Sequence, residues 1–342
     1  MAHYRIALIG FGNVNRTLAQ VIHTQGTALA AELGFTMSVT AITDLRFGTL
    51  VDAAGVDLAA VLAMRPGETF VTLGGTPECD IEHLIRTAPA DIVAEATFTN
   101  PDNGEPALTH VRWALEAGKS VCTTNKGPAA FAAAELKDLA ARHGVRFEFE
   151  GAVMSGTPVL RLTAGPLKGV GITGFAGILN GTSNYILGRM EAGLSQAEAI
   201  AEAQERGYAE ADPTADIGGS DVRLKVAVLV NELLGVHLDP RDIPTEGVTG
   251  ITAAMIADAR TQGTCWKLIG QAAKADDGTV IASVAPQMLP ATHPLAGIAG
   301  ATNALMFDTT FLGPVTIAGP GAGRLETAYA LLSDIIAIDV AR

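Results

Sequence analysis

Cysteine is scarce in this chain: Cys79, Cys122 and Cys265 are its only three among 342 residues, widely spaced and with no CxxC pair. So few and so scattered, they form neither a disulfide framework nor a zinc site. They predict a reduced, cytoplasmic protein in which Cys122 is a buried, inert thiol. Positive charge is short as well, with 23 Lys and Arg against 36 Asp and Glu and a formal net charge of −13. A surface of that sign excludes a nucleic-acid backbone or an anionic membrane as partner, since both demand basic residues. Charged residues of both signs make up only 17% and apolar residues 48%, which excludes an intrinsically disordered chain. No uninterrupted apolar run reaches the ~18 residues of a membrane span, and the start MAHYRIALIGFG lacks the apolar region of a signal peptide. The seven histidines show no HxxxH or HExxH spacing. Glycine is plentiful instead, at 38 residues, well above the ~7% norm, and points to many tight turns or close backbone approaches.

At ~150 residues per domain the length predicts two domains. Through about residue 145 strand and helix signals alternate. Tyr4–Ile9 is a buried-type strand ending at Gly10, and Val14, Leu18, Val21 and Ile22 then share a helical stripe. Strands follow over Ser38–Thr43, Ala90–Ala96 and Ser120–Thr124, and Pro128 suits the first turn of an Ala-rich helix that ends near Gly144. This alternation implies βαβ units and a parallel, Rossmann-like sheet. Beyond residue 146 the rhythm changes. Val145–Glu150 and Ile172–Leu179 read as strands, Ser195 with Glu198 as a capping box, and Val222, Val226, Leu229 and Leu233 as one buried helical stripe. Strand-like segments fill about 265–317, and a last helix covers Leu325–Ile336. The expected fold is α/β: a Rossmann-like nucleotide-binding domain (1–145 plus about 315–342) and a second α+β domain (146–314) for substrate binding, catalysis and dimerisation. The strand-rich second domain has edges or a sheet face to bury, and pairing across a two-fold axis is the commonest way, so a homodimer is expected.

Three segments carry candidate chemistry. IALIGFGNVNRTLAQ reads as strand, Gly-x-Gly turn, helix, in which Gly10 and Gly12 let the backbone approach a pyrophosphate at a helix N-terminus. Asn15 stands where the third glycine of the fingerprint belongs. Asp44, ending the second strand, suits the ribose 2′-hydroxyl of NAD, whereas Arg46 suits the 2′-phosphate of NADP. We expect NADP, with NAD as the alternative. TTNKG places Lys126 just after a parallel strand, at the edge where such sheets bind ligands. GYAEADPTADIGGSDVRLK gathers Glu210, Asp212, Asp216 and Asp221 ahead of Lys225, and the four-residue spacing of Asp221 and Lys225 puts them on one helix face. That pattern fits either a solvated helix start with a surface ion pair or a pocket for a small cationic substrate beside an acid/base.

Together with EATF, FEGAVMSGTPV, GILNGTSNYIL and GPGAG…TAYALLSDI, these segments make the chain resemble homoserine dehydrogenase over residues 4 to 338 or so. The resemblance implies reversible reduction of L-aspartate 4-semialdehyde to L-homoserine with NADPH or NADH, a step of threonine and methionine biosynthesis. It implies Lys225 as proton donor and acceptor, Glu210, Asp216 and Asp221 as substrate ligands, and Lys126 near both substrate and cofactor. Gly10, Phe11, Gly12, Asn13, Val14, Arg46, Thr97, Gly207 and Gly321 would line the nucleotide site. A monovalent cation, Na+ or K+, would sit at Glu150, Val153, Ser155 and Thr157, the last three contributing main-chain oxygens. The terminal helix would return to the nucleotide-binding domain, leaving about six residues, too few for a threonine-sensing regulatory domain. Three alternatives remain at this point. One is another amino- or hydroxy-acid dehydrogenase on the same scaffold, the second a non-catalytic nucleotide sensor. The third, a semialdehyde dehydrogenase, needs a cysteine beside a base, and none of the three is so placed.

Overall fold

The computed structural model describes residues 1–98 and 100–341. The chain divides into two units, Met1–Ala152 with Gly323–Arg342, and Val153–Ala322.

The first unit holds β1 (Ala2–Ile9), β2 (Phe35–Asp44), β3 (Gly48–Val51), β4 (Ile92–Glu95), β5 (Ser120–Thr123) and β6 (Phe147–Glu148). They form one sheet in the order β3-β2-β1-β4-β5-β6. All neighbours are parallel except β3, which folds back antiparallel on β2. β4 and β5 are buried at every position, the mark of parallel strands covered on both faces. Leu18 and Ile22 of the helix Asn13–Leu33 share a core with Tyr4, Ile6 and Leu8 of β1 and with Leu331 and Ile335 of the terminal helix Arg324–Val340. Tyr4 Oη also donates to Asp339 at 2.8 Å. Strand order reverses between β1 and β4, and α/β sheets bind ligands at such a reversal, beyond the carboxyl ends of the strands.

The second unit is built on an antiparallel sheet of β7 (Ile172–Ile178), β8 (Thr264–Lys274), β9 (Val280–Pro290), β10 (Thr302–Thr309) and β11 (Val315–Pro320), ordered β11-β10-β7-β8-β9. The helix Ser220–Leu229 lies close to this sheet because Gly270 of β8 has no side chain. A Cβ there would come within 2.7 Å of both Val222 and Val226. The helix then loosens into a π-turn over Val230–Leu234.

Several expectations shift. Val145–Glu150 yields only the two-residue β6, since Glu150–Ala152 winds into a 3-10 turn. Val315–Pro320 pairs with β10, so the return to the first unit starts at Gly323 rather than near 315. Among the described residues, no helix is long and apolar enough to cross a membrane.

Candidate active site

In the first unit, the turn after β1 is shaped for close backbone approach. Gly10 has φ +77°, and a Cβ on it would stand 2.9 Å from the carbonyl oxygen of Ala96, just past β4. Gly12 caps the following 21-residue helix without a side-chain hydrogen bond, and no acidic residue occupies the first turn that includes Asn13 and Val14. A Cβ at Gly12 would meet nothing within 4 Å among the described residues. Such an end offers unsatisfied N–H groups and partial positive charge to a pyrophosphate. Asn15, in place of the third glycine, is fully buried. Its Nδ2 donates to the carbonyls of Ile9, Gly10 and Ala94 at 3.2, 2.8 and 3.0 Å. The amide thus ties the ends of β1 and β4 together.

Phe11, expected at the nucleotide site, turns its side chain into the core. Its ring is 2% exposed and packs edge-on against Phe47 and Phe70. Its N–H donates to Asp44 Oδ2 at 2.8 Å. Asp44 and Arg46, rivals in the sequence, are partners in the structure. Asp44 Oδ1 accepts from the Arg46 N–H at 2.9 Å and from Nε at 3.1 Å. Burial pushes the Asp44 carboxyl up, but the hydrogen bonds from Arg46 and Phe11 outweigh it and hold the pKa below its ordinary value. Asp44 correspondingly raises that of Arg46. Thr97 follows β4, and its carbonyl accepts from Asn125 Nδ2 at 3.3 Å. Asn125 in turn caps the helix Lys126–Arg142 through Gly127 N–H at 3.0 Å, which places Lys126 at that helix start.

In the second unit, Lys225 is held at two points. Its Nζ donates to the carbonyl of Leu179, just past β7, at 2.6 Å and to Asp221 Oδ2 at 2.7 Å. The lysine side chain is only 8% exposed and the aspartate 16%, so the pair is not the surface ion pair of a solvated helix start. Asn180 completes the group. Its Nδ2 donates to Asp216 Oδ1 at 2.7 Å and to Asp221 Oδ2 at 3.0 Å, and its Oδ1 caps the helix Gly181–Glu191 by accepting from Ser183 N–H at 2.8 Å. Sequence reasoning quoted NGTSN as a motif but assigned Asn180 no role; its position between a strand and a helix is an N-cap signal that could have singled it out. The other two carboxylates of the acidic segment lie outside this group. Asp212 accepts from the Thr214 N–H at 3.0 Å in a local turn. Glu210 is exposed, in a loop whose Glu210 and Ala211 carbonyls accept from Gln204 Nε2 at 3.1 and 3.2 Å.

Gly207, at φ +73°, ends the helix Gln196–Glu205 one residue past its cap. Gly321 lies so near β10 that a Cβ would fall 2.1 Å from the Asn303 carboxamide. In the segment expected to hold a cation, Glu150 is 2% exposed, Val153 fully buried, and Ser155 and Thr157 4% and 6% exposed. Met154 and Ser155 both take positive φ, 57° and 53°. Positive φ is uncommon outside glycine, and residues held so cluster at functional sites. Among the described residues, no group of three or more His, Cys, Asp or Glu could hold a metal ion, so any cation here would depend on carbonyl oxygens, which suit a hard alkali ion.

Comparison with known proteins adds to this geometry. The family model for homoserine dehydrogenase matches residues 158–336. An NAD(+)-dependent homoserine dehydrogenase of Pseudomonas canavaninivorans is 53% identical over 99% of this chain and 97% of its own length. A homoserine dehydrogenase of Methanocaldococcus jannaschii is 37% identical over 97% of this chain and 98% of its own. The structure of a hyperthermophilic archaeal homoserine dehydrogenase in complex with NADPH matches with a TM-score of 0.83 at 28% identity, covering 99% of this chain and 98% of that one.

Proposed function

The chain belongs to the homoserine dehydrogenase family, an NAD(P)-dependent oxidoreductase acting on a CH–OH group, and we propose that Lys225 carries the proton when L-homoserine and L-aspartate 4-semialdehyde interconvert. The carrying observation is the anchoring of Lys225 Nζ by Leu179 O and Asp221 Oδ2 at 2.6 and 2.7 Å. Those bonds use two of its three donors and fix the direction of the third. The dinucleotide, when bound, supplies or accepts the hydride. Reduction of the aldehyde develops an alkoxide, which the Lys225 ammonium stabilises and protonates. In the reverse direction the neutral amine takes the hydroxyl proton. Asp216 and Asp221 provide anionic surroundings for the substrate's own ammonium, and Glu210, exposed in its loop outside that group, would add a carboxylate from the loop. Gly10, Gly12 and the N-terminus of the helix Asn13–Leu33 receive the pyrophosphate. An assay at 340 nm with homoserine and oxidised cofactor tests the activity, and a purified, folded chain without turnover would favour the nucleotide-sensor alternative.

For the cofactor, the geometry favours NAD over the NADP expected from Arg46. Asp44 is anchored by Phe11 N–H at the end of β2, where its charge opposes a 2′-phosphate, and the Arg46 guanidinium is already engaged by Asp44. The NAD(+)-dependent relative supports the same reading. We expect kcat/KM with NAD to exceed that with NADP by about tenfold or more, and Asp44→Ala to narrow the gap. A wild-type preference for NADP that collapses in Arg46→Ala would reverse the assignment.

A sodium or potassium ion would be held by Glu150 and by main-chain oxygens of Val153, Ser155 and Thr157, where it would brace the bend. Exchanging both ions for a bulky organic cation should lower activity severalfold; indifference to the exchange counts against the ion.

The second unit carries the proposed homodimer contact. One face of its sheet is buried under the helix Ser220–Leu229. The row Met306, Ala176, Gln271 and Ser283 crosses β10, β7, β8 and β9 on the other face, and all four are only half-buried. Pairing of such faces across a two-fold axis buries them. Light scattering should report twice the 35.2 kDa of one chain, and a monomer at micromolar concentration overturns the dimer.

A further inference from the structure

Strand β4 ends on a carboxylate that the strand itself does not need. Glu95 closes the run IVAE and is fully buried. Burying a carboxyl group is expensive unless hydrogen-bond partners surround it. Here they do. Oε1 accepts from Thr97 N–H at 3.0 Å and from the Thr97 hydroxyl, and the Thr123 hydroxyl shares its one proton between Glu95 Oε2 and the Glu95 main-chain carbonyl, both at 2.9 Å. His110, itself 3% exposed, brings Nδ1 to 3.7 Å from Oε1.

These contacts reach further than the strand. The Thr123 hydroxyl oxygen accepts from Asn125 N–H at 3.0 Å. Asn125 donates to the carbonyls of Thr97 and Phe98 at 3.3 and 3.0 Å and caps the helix that begins at Lys126. One carboxylate therefore joins the loop after β4 to the loop after β5. On the β1 side the same loop faces Gly10, where a Cβ would meet Ala96 O at 2.9 Å and Thr97 Cγ2 at 3.1 Å. Of the residues expected to bear on cofactor binding, Thr97 is bonded to Glu95 directly and Lys126 is linked to it through Thr123 and Asn125.

We propose that Glu95 is a positioning residue of the cofactor site. It fixes Thr97 directly and fixes the start of the Lys126 helix through Thr123 and Asn125, with the His110 ring packed beside it. This inference rests on the placement of the nicotinamide dinucleotide at the β1–β4 crevice. Glutamine in its place still accepts from Thr97 N–H and can donate to the Thr123 hydroxyl, so the wall survives; alanine removes it.

The test uses the full chain and measures NADH affinity by fluorescence titration, KM for NAD and for homoserine, kcat, and thermal melting. Glu95→Ala should raise the NADH Kd and the NAD KM by about tenfold or more, with the homoserine KM at saturating NAD within about twofold. Glu95→Gln should stay within about threefold of wild type on every constant. Thr123→Val, which cuts only the branch toward Asn125, should raise the NAD KM by about threefold to tenfold and keep the proposal testable if Glu95→Ala does not fold. Wild-type NADH affinity in a folded Glu95→Ala or Thr123→Val chain overturns the inference. So does an equal rise in both KM values, or a Glu95→Gln chain as impaired as Glu95→Ala. Failure of the wild-type chain to bind any nicotinamide dinucleotide would instead overturn the cofactor placement itself.

Discussion

Replacing Lys225 with alanine should lower turnover by about 10²–10⁴-fold, the usual loss for a positioned acid/base, while cofactor affinity stays close to wild type. The expectation follows from how tightly Nζ is held. A carbonyl at 2.6 Å and a carboxylate at 2.7 Å fix it from two elements distant in sequence, the end of β7 and the preceding helical turn. Because the group is fixed before substrate arrives, its contribution is a preorganised one, and its removal acts on kcat more than on KM. Arginine should not rescue the variant. A guanidinium stays charged through the working range and cannot take up the hydroxyl proton, and its planar fork does not fit a point held by one carbonyl and one carboxylate oxygen. Glu210→Ala should behave differently, raising the homoserine KM, since a contact to the substrate ammonium exists in ground and transition states alike. Steady-state kinetics on folded variants checks both, and turnover within about twofold of wild type in Lys225→Ala removes the lysine from the mechanism.

Local signals carried much of this arrangement. The strand, Gly-x-Gly turn and helix at residues 4–22 follow from periodicity and glycine spacing, and both survive in the structure because each is a property of adjacent residues. Asp221 and Lys225 are legible for the same reason, as a pair one helical turn apart. What was not legible depends on contacts across the chain. Asn180 reaches Asp221 over 41 residues, and nothing in its neighbourhood shows that one amide will bridge two carboxylates. Asn15 departs from the glycine fingerprint, yet its side chain makes three hydrogen bonds, one of them to Ala94 on another strand. Asp44 and Arg46 looked like competing signals because each was read against an absent ribose, when their first partner is each other. Glu95 lay inside a quoted motif, but a carboxylate in an apolar strand acquires meaning only once the strands beside it are known. The short β3 hairpin between residues 46 and 90 also escaped, since four residues paired back on β2 leave too brief a pattern to read.

The substitution Asn180→Asp isolates what that bridging amide does, because it keeps shape and reverses hydrogen-bonding sense. Asn180 Nδ2 donates to Asp216 at 2.7 Å and to Asp221 at 3.0 Å, and the residue is 5% exposed. An aspartate there sets a third carboxylate within hydrogen-bonding distance of both Asp216 and Asp221, beside the single ammonium of Lys225. Like charges so close disfavour full ionisation, and the shared apparent pKa is driven upward until one carboxyl holds a proton. The helix cap survives, since aspartate accepts from Ser183 N–H as well as asparagine does. At about pH 8, with the bridge replaced by repulsion, kcat/KM for homoserine should fall by about 10²-fold. The sign of the pH effect then distinguishes the mechanism. A group whose pKa is raised is protonated below that pKa and again acts as a donor, so activity relative to wild type should recover as pH falls and be lost as pH rises. Asn180→Ala removes both the bridge and the cap, costing about 1 kcal/mol in helix stability. It introduces no charge, so its deficit relative to wild type should be the same at each pH. If Asn180→Asp matches wild type at about pH 8, or if its ratio to wild type is as flat with pH as that of Asn180→Ala, the amide is a helix cap and nothing more.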